Sequence, residues 1–319
     1  MSTSDRRLGN VSKIRFWRWS AGLIFVGIVA VTATELTLRY LRYDEFPIYD
    51  VDAKIGYIPS PNQAGTFAGR YSWTLNEYSM LNEPWVPSRE RGVLLISDSL
   101  VWGEVQMPPG EKLGSCLQTA TGSRYRVWSV GAGSWANLNE VEYLRRNEDV
   151  VQNIYRLVWI VNYGDFESRS QWRSDFTHPR RRPIFLLGYL IGKIWAPWAN
   201  QLYCRLSGTQ GDRKRESASV SAETRRELQT WLRGAPRGLL KRSLVVWYPD
   251  VSELRARDRA TNSLVSDVRA IYEASGVRFL DLRAESRWRE NYYNDTIHPT
   301  AEGNRLLAEV LRDYLPADD

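Results

Sequence analysis

Two short runs, far apart in the chain, carry residues whose types could together perform nucleophilic catalysis. Ser97-Asp98-Ser99-Leu100-Val101-Trp102-Gly103 follows an apolar run, and Asp295-Thr296-Ile297-His298-Pro299-Thr300-Ala301-Glu302-Gly303 precedes an amphipathic stretch near the C-terminus. A serine hydroxyl is a poor nucleophile until a base takes its proton. An acid and a histidine three residues apart let the carboxylate hold one imidazole nitrogen while the other faces a hydroxyl. Ser99, leaving a strand and opening a helix, would lie near free N–H groups that favour developing negative charge. Alone, this serine also fits a helix cap. It is read as a nucleophile through its pairing with Asp295 and His298.

The chain has only two histidines, and the second tests the pattern. Asp175-Phe176-Thr177-His178-Pro179 repeats the DxxHP spacing, but Arg180, Arg181 and Arg182 follow it, then an apolar segment. Three nearby cations disfavour the imidazolium that a general base must become. His298 is therefore the expected catalytic histidine, and His178 a surface or loop residue.

Elements that would position these residues are legible as alternating signals. Apolar runs at 92–97, 126–131, 157–164, 243–248 and 277–282 read as buried strands, with helical patterns at 137–152, 222–233, 258–274 and 300–314. Such alternation predicts an α/β domain with a parallel sheet of about five strands and crossover helices. Residues 39–90, rich in proline, glycine and aromatics, read as loop-like, a stalk or cap on the domain. The polar stretch 207–223 reads as an exposed loop.

Residues 17–38 are apolar and carry no charge from Ala21 to Thr34. With flanking Trp17, Trp19, Leu36 and Leu38 the stretch reaches about 20 residues, enough to span a bilayer. A cleaved signal peptide competes, but no clean small-residue cleavage site follows. The expected organisation is a cytoplasmic tail (1–16), an uncleaved anchor (17–38), the stalk or cap (39–90) and a catalytic domain (91–319). Arg6, Arg7, Lys13, Arg15 and Arg18 precede the helix against Asp5 alone. The positive-inside rule then leaves the N-terminus in the cytoplasm and the domain outside, at an inner (plasma) membrane. Residues 183–203 are apolar as well. A second crossing would separate Ser99 from His298, so this segment is read as a helix on the domain or in the outer interface, or as a core helix.

SDSLVWG resembles the first block of the SGNH (GDSL) hydrolase superfamily, with Ser97 at its usual glycine. DTIHPTAEGNRLLAEVL resembles that superfamily's last block, and the likeness covers about residues 91–316. It implies a three-layer α/β/α flavodoxin-like fold, with Ser99 as nucleophile, His298 as general base and acid, and Asp295 orienting His298. The middle blocks depart from the pattern. Ser134 stands at the last glycine of NxGxxG, whose N–H serves the oxyanion hole. Gly164 stands where GxND has its asparagine, and Asn162, two residues earlier, is the candidate substitute. Loss of one oxyanion donor costs roughly 3–4 kcal/mol of transition-state stabilisation.

The formal charge of +6, from 43 basic and 37 acidic residues, is modest, and no nucleic-acid module is present. Cys116 and Cys204 form no CxxC pair; they could pair with each other or remain separate buried thiols. No metal or organic cofactor is implied. Trp102 and Trp135 adjoin the expected site and could pack in the core or stack on sugar rings. Three functions fit: a serine esterase acting on O-acyl groups of a cell-surface glycan or on another ester, a polysaccharide O-acetyltransferase resembling alginate acetyltransferases, or a non-catalytic polysaccharide-binding or export component. Oligomeric state is left open.

Overall fold

A computed structural model describes residues 3–81, 84–103, 107–195, 219–255 and 259–315 of the chain. The first element, α1 (Thr3–Tyr40), is a single helix. Its part from Trp19 to Tyr40 is long and apolar enough to cross a membrane, and its apolar stretch is exposed. Its threonines suit that setting: Thr34 and Thr37 donate their hydroxyls to the carbonyls one turn back, Ala30 and Ala33, at 2.8 Å each.

Residues 39–90 are not loop throughout. They form two antiparallel hairpins, β1 (Tyr49–Asp52) with β2 (Gly56–Pro59) and β3 (Ala64–Phe67) with β4 (Tyr71–Thr74). Four-residue strands interrupted by proline and glycine leave little alternation to detect. In the first turn, Asp52 accepts the amides of Lys54 and Ile55 at 2.7 and 2.9 Å. Gly56 follows at φ +80, and a Cβ there would meet the Ser170 carbonyl at 2.2 Å, so only glycine fits.

The main body is a five-stranded parallel sheet. Its chain order is β5 (Ser88–Ser97), α2 (Ser99–Trp102), α3 (Leu113–Thr121), β6 (Arg126–Gly131), α4 (Asn137–Arg146), α5 (Glu148–Asn153) and β7 (Ile154–Val161). Then come α6 (Leu186–Trp195), α7 (Ala222–Gly234), α8 (Arg237–Arg242), β8 (Leu244–Trp247), α9 (Val251–Arg255), α10 (Arg259–Glu273), β9 (Arg278–Asp281) and α11 (Ala301–Asp313). The spatial order β6-β5-β7-β8-β9 is the 2-1-3-4-5 of a flavodoxin-like sheet. The helix expected over 137–152 breaks at Asn147, whose side-chain amide takes the carbonyl of Tyr143 at 2.8 Å.

Alternation along each strand builds two cores. On β5, Val93 and Leu95 join α3 and α11 on one face. Leu94 and Ile96 join α4, α5, α7, α8 and α10 on the other. Each such side chain, fully buried, contributes about 1.5–3 kcal/mol, and together they make a three-layer α/β/α sandwich. The cap covers one sheet edge, where Leu81 donates its amide to the Ser129 carbonyl of β6 at 2.8 Å. Cys116 is buried on α3; Cys204 and most of the polar stretch 207–223 lie outside the described residues.

Candidate active site

β5 ends at Ser97, and Asp98 caps the helix that follows by accepting the Leu100 amide at 2.9 Å. This fixes Ser99 as the first residue of α2, its hydroxyl at the C-terminal edge of the sheet. Asp98 is buried, which pushes its carboxyl above the usual range. Ser97, standing at the glycine of the first block, donates its hydroxyl to Asp98 at 3.3 Å, and the Asn162 side-chain amide donates to the other oxygen at 3.2 Å.

The second half is a turn that organises itself. Asp295 accepts the backbone amides of Ile297 and His298 on one oxygen, at 2.8 and 2.7 Å. Its other oxygen faces His298 Nδ1 at 2.7 Å. Partial burial opposes ionisation, but the ring and the two amides together hold the Asp295 carboxyl below its ordinary value. Thr300 caps α11 through the Gly303 amide at 2.9 Å. A Cβ on Gly303 would lie 2.5 Å from the Tyr292 carbonyl, so glycine lets α11 close on this loop.

The two halves meet: Ser99 Oγ lies 2.9 Å from His298 Nε2. With Asp295 ionised, one tautomer satisfies both contacts. Nδ1–H donates to Asp295, and Nε2 accepts the Ser99 hydroxyl. The His298 and Asp295 side chains are 29% and 51% exposed, so the group opens to solvent. A cavity of about 700 Å³, bounded by Trp73, Leu81, Pro109 and Lys112, lies elsewhere, under the cap, and includes none of the three residues.

Ser134 adopts φ +62, the left-handed conformation that glycine enters most easily. Asn162 is buried and committed: its oxygen accepts the Gly164 amide at 2.9 Å while its amide serves Asp98. Trp102 and Trp135 are buried, and Trp135 donates to the Tyr57 carbonyl at 2.7 Å. The structure gives both to the core and neither to a sugar.

His178 is a loop residue but not a surface one. It is 9% exposed, and its Nε2 lies 3.0 Å from the Gly133 carbonyl, which also accepts the Tyr57 hydroxyl at 2.6 Å. The ring packs on Tyr57 with centroids 4.0 Å apart. A carbonyl only accepts, so the proton sits on Nε2. Two side chains from outside the sheet thus hold the carbonyl one residue before Ser134.

Sequence reasoning missed a group of buried acids. Asp165 accepts the Asn162 amide at 2.6 Å, and burial, with Asp98 and Glu140 nearby, pushes its carboxyl well up. Glu140 accepts the indole N–H of Trp159, and burial pushes it up to about 8. Asp165 matches the acid of the GxND block, which was its only signal. Among the described residues, no three His, Cys, Asp or Glu side chains converge as a metal site requires.

A flavodoxin-like sheet carrying Ser, His and Asp in relay at its C-terminal edge defines an α/β protein equipped for acyl chemistry. No protein-family model matches the chain, and no curated protein does. Among solved structures, a lipase/acylhydrolase from Enterococcus faecalis is similar at 13% identity and TM-score 0.45, over 70% of this chain and 94% of that one. An acetyl xylan esterase is similar at 14% identity and TM-score 0.42, over 70% and 100%. A carbohydrate acetylesterase from Sinorhizobium meliloti is similar at 16% and 0.40, over 70% and 97%. At such values these are resemblances, and what the residues can do rests on their own geometry.

Proposed function

We propose that the protein is a serine esterase held at a membrane by α1, with its catalytic domain on the extracytoplasmic side, acting on O-acyl groups of a cell-surface glycan. The observation that carries this is the unbroken relay Ser99–His298–Asp295, with contacts of 2.9 and 2.7 Å. Ser99 Oγ attacks the ester carbonyl as His298 Nε2 takes its proton. The backbone N–H of Ser134 is the donor we assign to the tetrahedral oxyanion. The C–O bond then breaks, and His298 returns the proton to the departing sugar hydroxyl. Water, deprotonated by the same nitrogen, releases the acid and restores Ser99.

The test is labelling and turnover. A fluorophosphonate probe is expected to modify the wild-type protein and spare Ser99→Ala. Acetate release from O-acetylated glycans should disappear in the same variant. Unchanged release in Ser99→Ala would defeat the assignment. Turnover that appears only when an acceptor glycan is added would replace hydrolysis by acyl transfer, and an unlabelled wild-type protein would point to a binding component.

A further inference from the structure

Residues 196–203 lie outside the described residues; the rest of the apolar segment 183–203 forms α6 and its approach. One face of α6 is docked: Leu186 is fully buried, and Tyr189 stacks between Phe46 and Phe176 at centroid distances of 5.4 and 5.7 Å. The opposite face is exposed and apolar. Ile184, Phe185, Ile191, Ile194 and Trp195 are 93, 50, 46, 72 and 57% exposed, respectively. Their spacing lines them along one side of a helix and its approach. A core helix would not present this face to water, and an apolar stripe of this kind marks an interaction site.

The height of that face is set by α1. Glu35 accepts the amides of Leu186 and Leu187 at 3.0 and 2.7 Å, so its carboxylate caps the N-terminus of α6 from another helix. Arg39 donates to Glu35 at 2.8 Å and to the carbonyls of Pro183 and Ile184 at 3.0 and 2.8 Å. From Trp19 to Glu35 a helix rises about 24 Å, most of a hydrocarbon core. The charged clamp therefore sits where a spanning α1 would leave the bilayer, and α6 starts at that level. Arg180, Arg181 and Arg182 lie on the approach to it, with three residues between Arg182 and its start, and the exposed Arg181 is placed to meet anionic headgroups. Continuity with the exposed apolar surface of α1, the basic run and a tryptophan at the end of the stripe all fit one occupant.

We propose that the Ile184–Trp195 face rests in the outer headgroup–acyl boundary of the bilayer that α1 spans, making α6 an interfacial helix. The proposal rests on α1 being a membrane anchor, and the experiment separates the two claims. The full chain, with Cys204→Ser, is reconstituted in vesicles of equal parts phosphatidylcholine and phosphatidylglycerol. A bimane label is placed by Ile194→Cys, by Val26→Cys in α1, or by Glu309→Cys on the exposed face of α11. Brominated phospholipids then serve as quenchers. The label at 194 is expected to be quenched several-fold by shallow bromines, the label at 26 by deep ones, and the label at 309 by neither. A label at 194 that behaves like 309 while 26 is quenched overturns the interfacial helix and leaves the anchor standing. Labels at 194 and 26 that are both unquenched overturn both. Bromolipid quenching of native tryptophan, compared between wild type and Trp195→Phe, repeats the test without a label: a smaller quenched fraction in the variant supports the proposal, and no difference overturns it.

Discussion

The two DxxHP turns spell nearly the same sequence and do opposite things. In the C-terminal turn, Asp295 uses one oxygen for the turn's own amides and the other for the His298 ring, which aims outward at Ser99. In the earlier turn, Asp175 spends both oxygens on Arg180, on its amide at 2.9 Å and its guanidinium at 3.1 and 3.2 Å. The His178 ring, left without its aspartate, turns inward to the Gly133 carbonyl. The arginine five residues after the acid makes the difference: it competes for the carboxylate and wins with a bidentate pair. DxxHP therefore encodes a turn, and its chemistry is decided by who else claims the aspartate.

Substitutions can break or sharpen that contrast. The largest effect is expected for His298→Ala, a loss on the order of 10⁴-fold or more in kcat for ester hydrolysis, with fluorophosphonate labelling of Ser99 slowed in parallel. Asp295→Asn should cost about 10³- to 10⁴-fold in kcat while leaving Tm within a few degrees, because the amide supports the wrong tautomer. Tyr57→Phe combined with His178→Phe strips both donors from Gly133. An expected fall of about ten- to a hundredfold in kcat with KM little changed would report a displaced Ser134 amide; unchanged kcat would leave His178 a packing residue only.

His178→Gln sharpens the comparison through pH. Burial holds the His178 ring down at about 4, so it is neutral in the fold. As pH falls from about 6.5 towards 4, the unfolded chain takes up its proton first and stability is lost, by up to roughly 3 kcal/mol. Above 6.5 that contribution is complete. Glutamine keeps a donor for Gly133 and does not titrate, so Tm against pH should flatten across this window. The smallest effect is expected for Asp175→Asn, whose exposed ion pair with Arg180 contributes little; Tm should move by no more than about a degree or two and kcat not at all.

The sheet was legible because its signals are local: apolar β-branched runs of strand length, and an amphipathic helix after Thr300. The contact between Asp295 and His298 was legible because the whole turn lies within four residues. The rest depended on contacts distant in sequence. Nothing near His178 announces Gly133, 45 residues away. Asn162 looked free because Asp98, 64 residues earlier, is what engages it. Glu140 sits on a helix face that reads as polar, yet the face is buried against Trp159. The cap hairpins hid in strands too short for periodicity, and Trp102 and Trp135 gave no hint of whether they faced in or out.

The clamp at Glu35 and Arg39 also has a mechanical consequence. A domain joined to a lone helix by a slack linker swivels, and its opening sweeps every direction the linker permits. Here the linker is folded into hairpins packed on the body. The shaft of α1 is keyed to that body through the Leu186 and Leu187 amides and the Pro183 and Ile184 carbonyls. These bonds tie the direction of the helix to that of the domain. In the structure the opening at Ser99 therefore holds one bearing to the axis of α1.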